Sequence, residues 1–302
     1  MKNILFFLGI LLAATALFAG TDVHPGAGNY GYKFLNVPTG PMSIALSGGG
    51  IHSEANPYAF LDQPAAACEA NQRILGVSMS PWLADTQANT ISYSFARRSS
   101  HFGIAIRNMD YGDVENRDDT GFLIGYYSPV DLSVVANYAY RLGPSTYAGL
   151  NFGTLYQKLD TATSLGLYAD LGFSIIPPLK DSKLSAAILH IGNATYTDQE
   201  KVRFPTTMRA DFTKGFALGD QHLTLGLNGI KGMDEDLKGS IYSEVELLNI
   251  LRLRGGYKLN YAAESFSAGF GIAYKRLSVD YGFGAFDSGL NDVHSFGISY
   301  LF

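Results

Sequence analysis

The chain has 302 residues, a net charge of −5, and 16% charged against 47% hydrophobic residues. A soluble domain usually carries roughly 25% charged residues, so an ordinary soluble surface is disfavoured, and the acidic balance excludes a nucleic-acid partner, which needs a basic face. One cysteine, Cys68, excludes a disulfide scaffold; beside Ala65, Ala66 and Ala67 it reads as a small packed residue.

Met1-Lys2-Asn3 is a short positive start, Ile4 to Ala14 an apolar core, and Thr15 to Gly20 a small-residue exit. This pattern predicts a secretory signal peptide over 1–20, cleaved after Ala19 or Gly20. The apolar run is short for a helix crossing about 30 Å of hydrocarbon, and no charged stop-transfer flank follows. No cysteine at the cleavage point marks a lipoprotein.

Residues 21–72 are rich in Gly, Ala and Pro and lack sustained alternation. Phe34, Leu35, Val37, Ile44, Leu46, Phe60 and Leu61 give too much apolar content for a disordered tail. The segment is expected to be a hatch or plug in the mouth of a barrel formed by residues 73–302.

From Arg73 to Phe302 the dominant period is two. Leu75, Val77 and Met79 share a face opposite Gly76, Ser78 and Ser80; Leu165, Leu167, Leu171 and Phe173 share one opposite Gly166, Tyr168, Asp170, Gly172 and Ser174. Such alternation is strand periodicity. About fourteen segments of bilayer-spanning length recur. Their centres fall at Val77, Tyr93, Ile104, Ala136, Leu150, Leu167, Ala187, Ala210, Leu225, Ser243, Leu253, Phe270, Val279 and Ile298. Polar or Gly/Pro-rich joints separate them, including 110–120, 193–201 and 233–236. The predicted fold is all-β: a 14-stranded antiparallel transmembrane barrel with an N-terminal hatch.

Arg141, Asp170, Arg209, Asp211, Glu244, Glu246, Arg252, Arg254 and Lys258 lie opposite the apolar face and are expected to point into the lumen. Facing lipid at mid-bilayer, each would cost roughly 2–4 kcal/mol. Their mixed signs predict ion pairs across the lumen rather than a single-sign pore. Phe296, Ile298, Tyr300 and Phe302 share one face of the last strand, the expected signature for the barrel-insertion machinery. The competing architecture, a soluble β-sandwich, fits neither this ending nor so many disulfide-free, charge-poor strands.

At the hatch the chain resembles a known family. Tyr32-Lys-Phe-Leu-Asn-Val-Pro38, Ser43-Ile-Ala-Leu-Ser-Gly-Gly-Gly50 and Ala59-Phe-Leu-Asp-Gln-Pro-Ala65 are similar to stretches of the PorV/PorQ proteins of type IX secretion, with Gln63 in place of that family's Asn. Tyr127–Ser133, Phe204–Arg209, Leu253–Tyr257 and Ser267–Gly271 match later parts of its pattern, so the resemblance spans nearly the whole mature chain. It implies a barrel like the long-chain fatty-acid transporters, acting as an outer-membrane secretion component that binds partner subunits or carries or anchors secreted cargo. The Gln63 departure leaves cargo shuttle, anchoring complex and FadL-like transporter of small hydrophobic molecules all open. An open porin fits least, since a plug and a mixed-charge lumen would obstruct it.

No catalytic, cofactor or metal constellation is expected. His24, His52, His101, His190, His222 and His294 form no zinc-spaced pair. Gly48–Gly50 lacks the Lys-Ser/Thr of a phosphate loop. His294 and Ser295 are strand neighbours that face opposite ways. Asp234-Glu235-Asp236 reads as a solvated loop rather than a cation site.

Overall fold

In a computed structural model the described residues are 24–50, 56–69, 73–192, 195–197 and 200–302. The predicted signal peptide and His52 lie outside them. The strands in chain order are β1 (Arg73–Pro81), β2 (Gln87–Arg97), β3 (Ser100–Asp110), β4 (Val114–Arg117), β5 (Leu123–Tyr127), β6 (Val130–Gly143), β7 (Thr146–Leu159), β8 (Ala162–Ile175) and β9 (Ser182–Gly192). They continue as β10 (Thr195–Thr197), β11 (Glu200–Val202), β12 (Thr207–Leu218), β13 (Gln221–Gly232), β14 (Lys238–Leu247), β15 (Leu251–Leu259), β16 (Glu264–Tyr274), β17 (Leu277–Phe286) and β18 (Val293–Leu301).

Fourteen of these close into one antiparallel barrel, and β1 seals against β18 with Val77 opposite Ile298. Every strand centre expected from the alternation falls in a different barrel strand. The joints at 110–120 and 193–201 hold more than loop: β4 pairs with β5, and β10 with β11, as separate two-stranded ribbons. Phe204–Arg209 resembles a strand start, but pairing begins only at Thr207, because Phe204 instead turns inward and is buried.

The barrel inverts the solubility pattern of a globular protein. Leu165, Leu167 and Phe152 are 74%, 71% and 63% exposed on its outside, while Ser78, Ser92, Ser133, Asn151 and Ser174 are buried inside. An apolar belt this continuous is stable only against lipid. The closed sheet has no free edge, so its strands pair with a neighbour on both sides, which lipid demands. Tyr93, Phe95, Phe102 and Tyr138 run ring against ring on the outer surface, and Tyr93 and Tyr300 both meet Phe302 edge-on. This is an aromatic girdle at the end where β1 begins and β18 finishes. The turns at that end are short, as at 98–99, 219–220 and 275–276, whereas the opposite end carries 111–129 and 193–206. In outer-membrane-type barrels the short-turn end is periplasmic and the long-loop end external.

Residues 32–50 and 56–66 touch the inward faces of strands around the ring. The short helix Gly40–Ala45 has Pro41 in its first turn, where a missing N–H costs nothing. Pro41 lies so close to Gly282 that a Cβ there would strike its backbone, and Pro64 does the same at Gly149. Its helices are short and the stretches between them irregular, so its buried carbonyls need other donors. The wall supplies them: Ser92 donates to Pro57 O (2.9 Å), Asn151 to Phe60 O (2.8 Å), Asn137 to Pro64 O (3.1 Å) and Ser267 to Ala45 O (2.9 Å). Gln63 donates its amide to Ala186 O (2.9 Å) and Phe173 O (3.2 Å), joining the segment to β9 and β8. The small polar lining of this barrel is thus the hydrogen-bonding complement of the segment it surrounds.

Candidate functional site

The charged residues on the inward phase of the strands fall into separate groups. On β15 Arg254, with a fully buried side chain, donates to Glu244 (2.6 Å) on β14 and to Asp280 (2.6 Å) on β17. Gly271 of β16 leaves the gap through which it reaches, since a Cβ there would meet both Arg254 and Asp280. Arg252 pairs with Glu246 (3.1 Å), directly opposite in register, and Lys258 pairs with Glu264. Asp211, buried on β12, accepts from Tyr242 (2.7 Å) and Asn228 (3.3 Å). Asp170, buried on β8, accepts from the His190 backbone N–H (2.6 Å) where β8 and β9 shift register, and from Asn151 (2.8 Å). Arg141 sits apart, exposed at the short-turn end of β6, donating to Gly143 O (3.1 Å) and Pro144 O (2.9 Å). On β18 the side chains of Phe296, Ile298 and Tyr300 face outward, with Phe302 exposed beside them.

Arg209 differs in that its partner is the inner segment. It donates to Asp62 (2.6 Å) and to Gly48 O (2.6 Å). On β3, five strands away in the ring, buried Arg107 donates to Leu35 O (3.2 Å) and Val37 O (3.0 Å). Arg107 and Asp280 share the alternation of the other inward charges, so the same signal marks them. No local pattern marks Asp62.

A cavity of about 400 Å³ opens at the long-loop end, above the inner segment. Leu35, Trp82, Leu189 and Ile230 form its apolar wall, and Arg209 and Asp62 lie in its lining. The loops above hold the start of the segment. The Gly31 N–H donates to Arg203 O (3.1 Å), and Phe204 packs between Tyr32 and Tyr168 at 5.1 and 5.7 Å. Lys33 reaches Asp234 (2.8 Å) and Glu235 (3.2 Å), and Lys238 also pairs with Glu235 (2.8 Å). Asp234 and Glu235 therefore act as a latch for the segment rather than as solvated loop residues, while Asp236 stays exposed.

Burial alone would raise the Glu235 pKa, but Lys238 and Lys33 outweigh it and hold it below the ordinary value. A depressed carboxyl pKa stabilises the closed latch fully above the unfolded Glu value of about 4.3. That contribution is lost as pH falls through the lower folded value. Protection factors of the residue 31–36 amides, each referred to the intrinsic exchange rate at that pH, should fall on acidification in the native protein, and Glu235→Gln should show the low values already at pH 7. A Glu235→Gln protein with native-like exchange at both pH values would discard the latch.

Ser295 bonds Ser80 (2.6 Å) inside the wall while His294 meets Tyr281 (2.8 Å) outside, so the two do not face each other. Among the described residues no group of His, Cys, Asp or Glu is arranged to hold a metal ion.

The chain matches no established sequence family, and no curated protein matches it in sequence. By structure it is similar to the CymD monoaromatic hydrocarbon channel, with TM-score 0.63 and 12% identity over 88% of this chain and 98% of that one. It is also similar to the Pseudomonas putida toluene transporter TodX, with TM-score 0.63 and 12% identity over 87% and 97%. A Pseudomonas aeruginosa FadL homologue follows at 0.55 and 10% over 87% and 98%. At these identities the likeness is one of fold, that of FadL-type outer-membrane barrels. None of these comparisons supports the narrower PorV/PorQ resemblance.

Proposed function

We propose that this chain is an outer-membrane passage for small, mainly hydrophobic molecules, with residues 21–72 as its plug. The observation that carries the reading is the cavity of about 400 Å³, whose lining joins apolar side chains (Leu35, Val37, Trp82, Leu189 and Ile230) to charged groups that include Asp62 and Arg209. Small-molecule sites commonly measure about 300–1,000 Å³ with a few fixed polar groups. The structural neighbours described as hydrocarbon and toluene channels support the same direction. Export by the signal peptide, insertion through the Phe296–Phe302 face, and outer-membrane lipid around the belt belong to the same proposal.

Trp82 lines the cavity and is the chain's single tryptophan, so its emission reports on this site. Titrating the detergent-solubilised protein with naphthalene should shift or quench Trp82 fluorescence to saturation, and Leu189→Asp should weaken the effect by about tenfold, the equivalent of ~1.4 kcal/mol. A linear, unsaturable response identical in both proteins would sink the reading.

A second reading, a secretion component that binds cargo or partner subunits, rests on the PorV/PorQ resemblance. One structural feature favours it: the ribbon of β4 and β5, which displays apolar side chains outside the barrel.

A further inference from the structure

Between β3 and β6, at the long-loop end, β4 and β5 form a two-stranded ribbon separate from the barrel, paired from Val114 opposite Tyr127 to Arg117 opposite Leu123 with a register shift after Asn116. Phe122, Ile124 and Tyr126 are 72%, 61% and 62% exposed on it. Among the described residues neither outer edge pairs with another strand. A two-stranded ribbon is marginal in water by itself, and exposed edges are normally blunted by lysine or proline; neither residue occurs between Val114 and Tyr127. The surrounding charge is one-sided. Asp110, Asp113, Glu115, Asp118 and Asp119 are all exposed, and the only cation among them, Arg117, is held by Glu115 at 2.6 Å.

We propose that this ribbon docks a protein partner: an extended, basic segment that adds as a third strand. Its apolar side chains would cover Phe122, Ile124 and Tyr126, and its Lys or Arg side chains would meet the acidic rim. Strand addition supplies main-chain hydrogen bonds for affinity and leaves side-chain pockets to set specificity. The acidic rim makes the same face repel an anionic lipid surface, which favours the protein occupant over the membrane. The surface is separate from the cavity, so it stands whether or not the barrel passes small molecules.

The probes are fluorescent ten-residue peptides alternating arginine with valine, or glutamate with valine, titrated into the full chain in nanodiscs. Only the arginine peptide should bind, and its affinity should fall with added salt, as opposite charges require. Phe122→Ser/Ile124→Ser/Tyr126→Ser and Asp113→Asn/Glu115→Gln/Asp119→Asn should each weaken it by about tenfold or more, with barrel folding checked by heat-dependent migration on a denaturing gel. If a variant fails to fold, exchange of the β4 and β5 amides in the native protein replaces it: the arginine peptide should slow them. Equal binding of the glutamate peptide, undiminished binding by both folded variants, or unprotected ribbon amides overturns the proposal. So does a ribbon that binds vesicles of phosphatidylglycerol in preference to the arginine peptide.

Discussion

Planar bilayers holding the Arg107→Ala/Arg209→Ala protein will conduct where the native protein stays closed. These two arginines project from strands five apart in the fourteen-strand ring, and both donate to the inner segment. Arg209 holds the Asp62 carboxylate and Gly48 O; Arg107 holds Leu35 O and Val37 O. The side chains of Arg209 and Asp62 are only 9% and 15% exposed. Removing one partner of such a pair leaves an uncompensated charge and costs about 3–5 kcal/mol. Each buried carbonyl left without a donor adds ~1–3 kcal/mol. At ~1.4 kcal/mol per tenfold, losing Arg209 alone shifts the seated fraction of the segment by two orders of magnitude or more. Arg209→Lys, which keeps the charge but not the two-pronged geometry, should conduct at an intermediate level. A folded double variant as silent as the native protein would show that the segment is held by packing, or that it does not close the passage.

The second large effect is on stability. Arg254→Met should lower the urea-unfolding midpoint in lipid vesicles by the equivalent of ~3–5 kcal/mol, because it strands two carboxylates, Glu244 and Asp280, in the wall. Glu244→Gln/Arg254→Met/Asp280→Asn should recover most of that loss. Removing a whole buried ionic group is often neutral, whereas breaking it is not. Arg252→Met is the internal comparison: Arg252 and Glu246 are 20% and 29% exposed, and such a pair contributes about 1 kcal/mol or less. Equal losses in the Arg254 and Arg252 variants would refute the distinction. A triple variant as unstable as Arg254→Met would show that the arginine acts through its packed stem rather than its charge.

The barrel was legible in the sequence because the signal for it is local. Side chains on a strand alternate between two environments, lipid and lumen, so Leu165, Leu167, Leu171 and Phe173 reveal the β8 wall without knowledge of any partner. The same period put Asp170, Asp211 and Arg254 on the inward phase. Where the period breaks, legibility ends. β10 and β11 are three residues each, too short to show alternation, and β4 and β5 sit among acidic turn residues, so both ribbons read as loop. Partner choice is not local at all. Arg254 meets Asp280 only because the β15–β16–β17 meander sets their strands two apart in matching register and because Gly271 has no side chain. Arg209 meets Asp62 only because a chain segment 147 residues earlier is folded against the lumen wall. The sequence by itself determined the alternation, the apolar belt and the inward phase of the charges, since each follows from a residue and its neighbours along one strand. Tertiary structure alone decided which charges pair, which ones clamp the inner segment, and where a cavity remains, because those depend on strand order, register and closure between residues far apart in the chain.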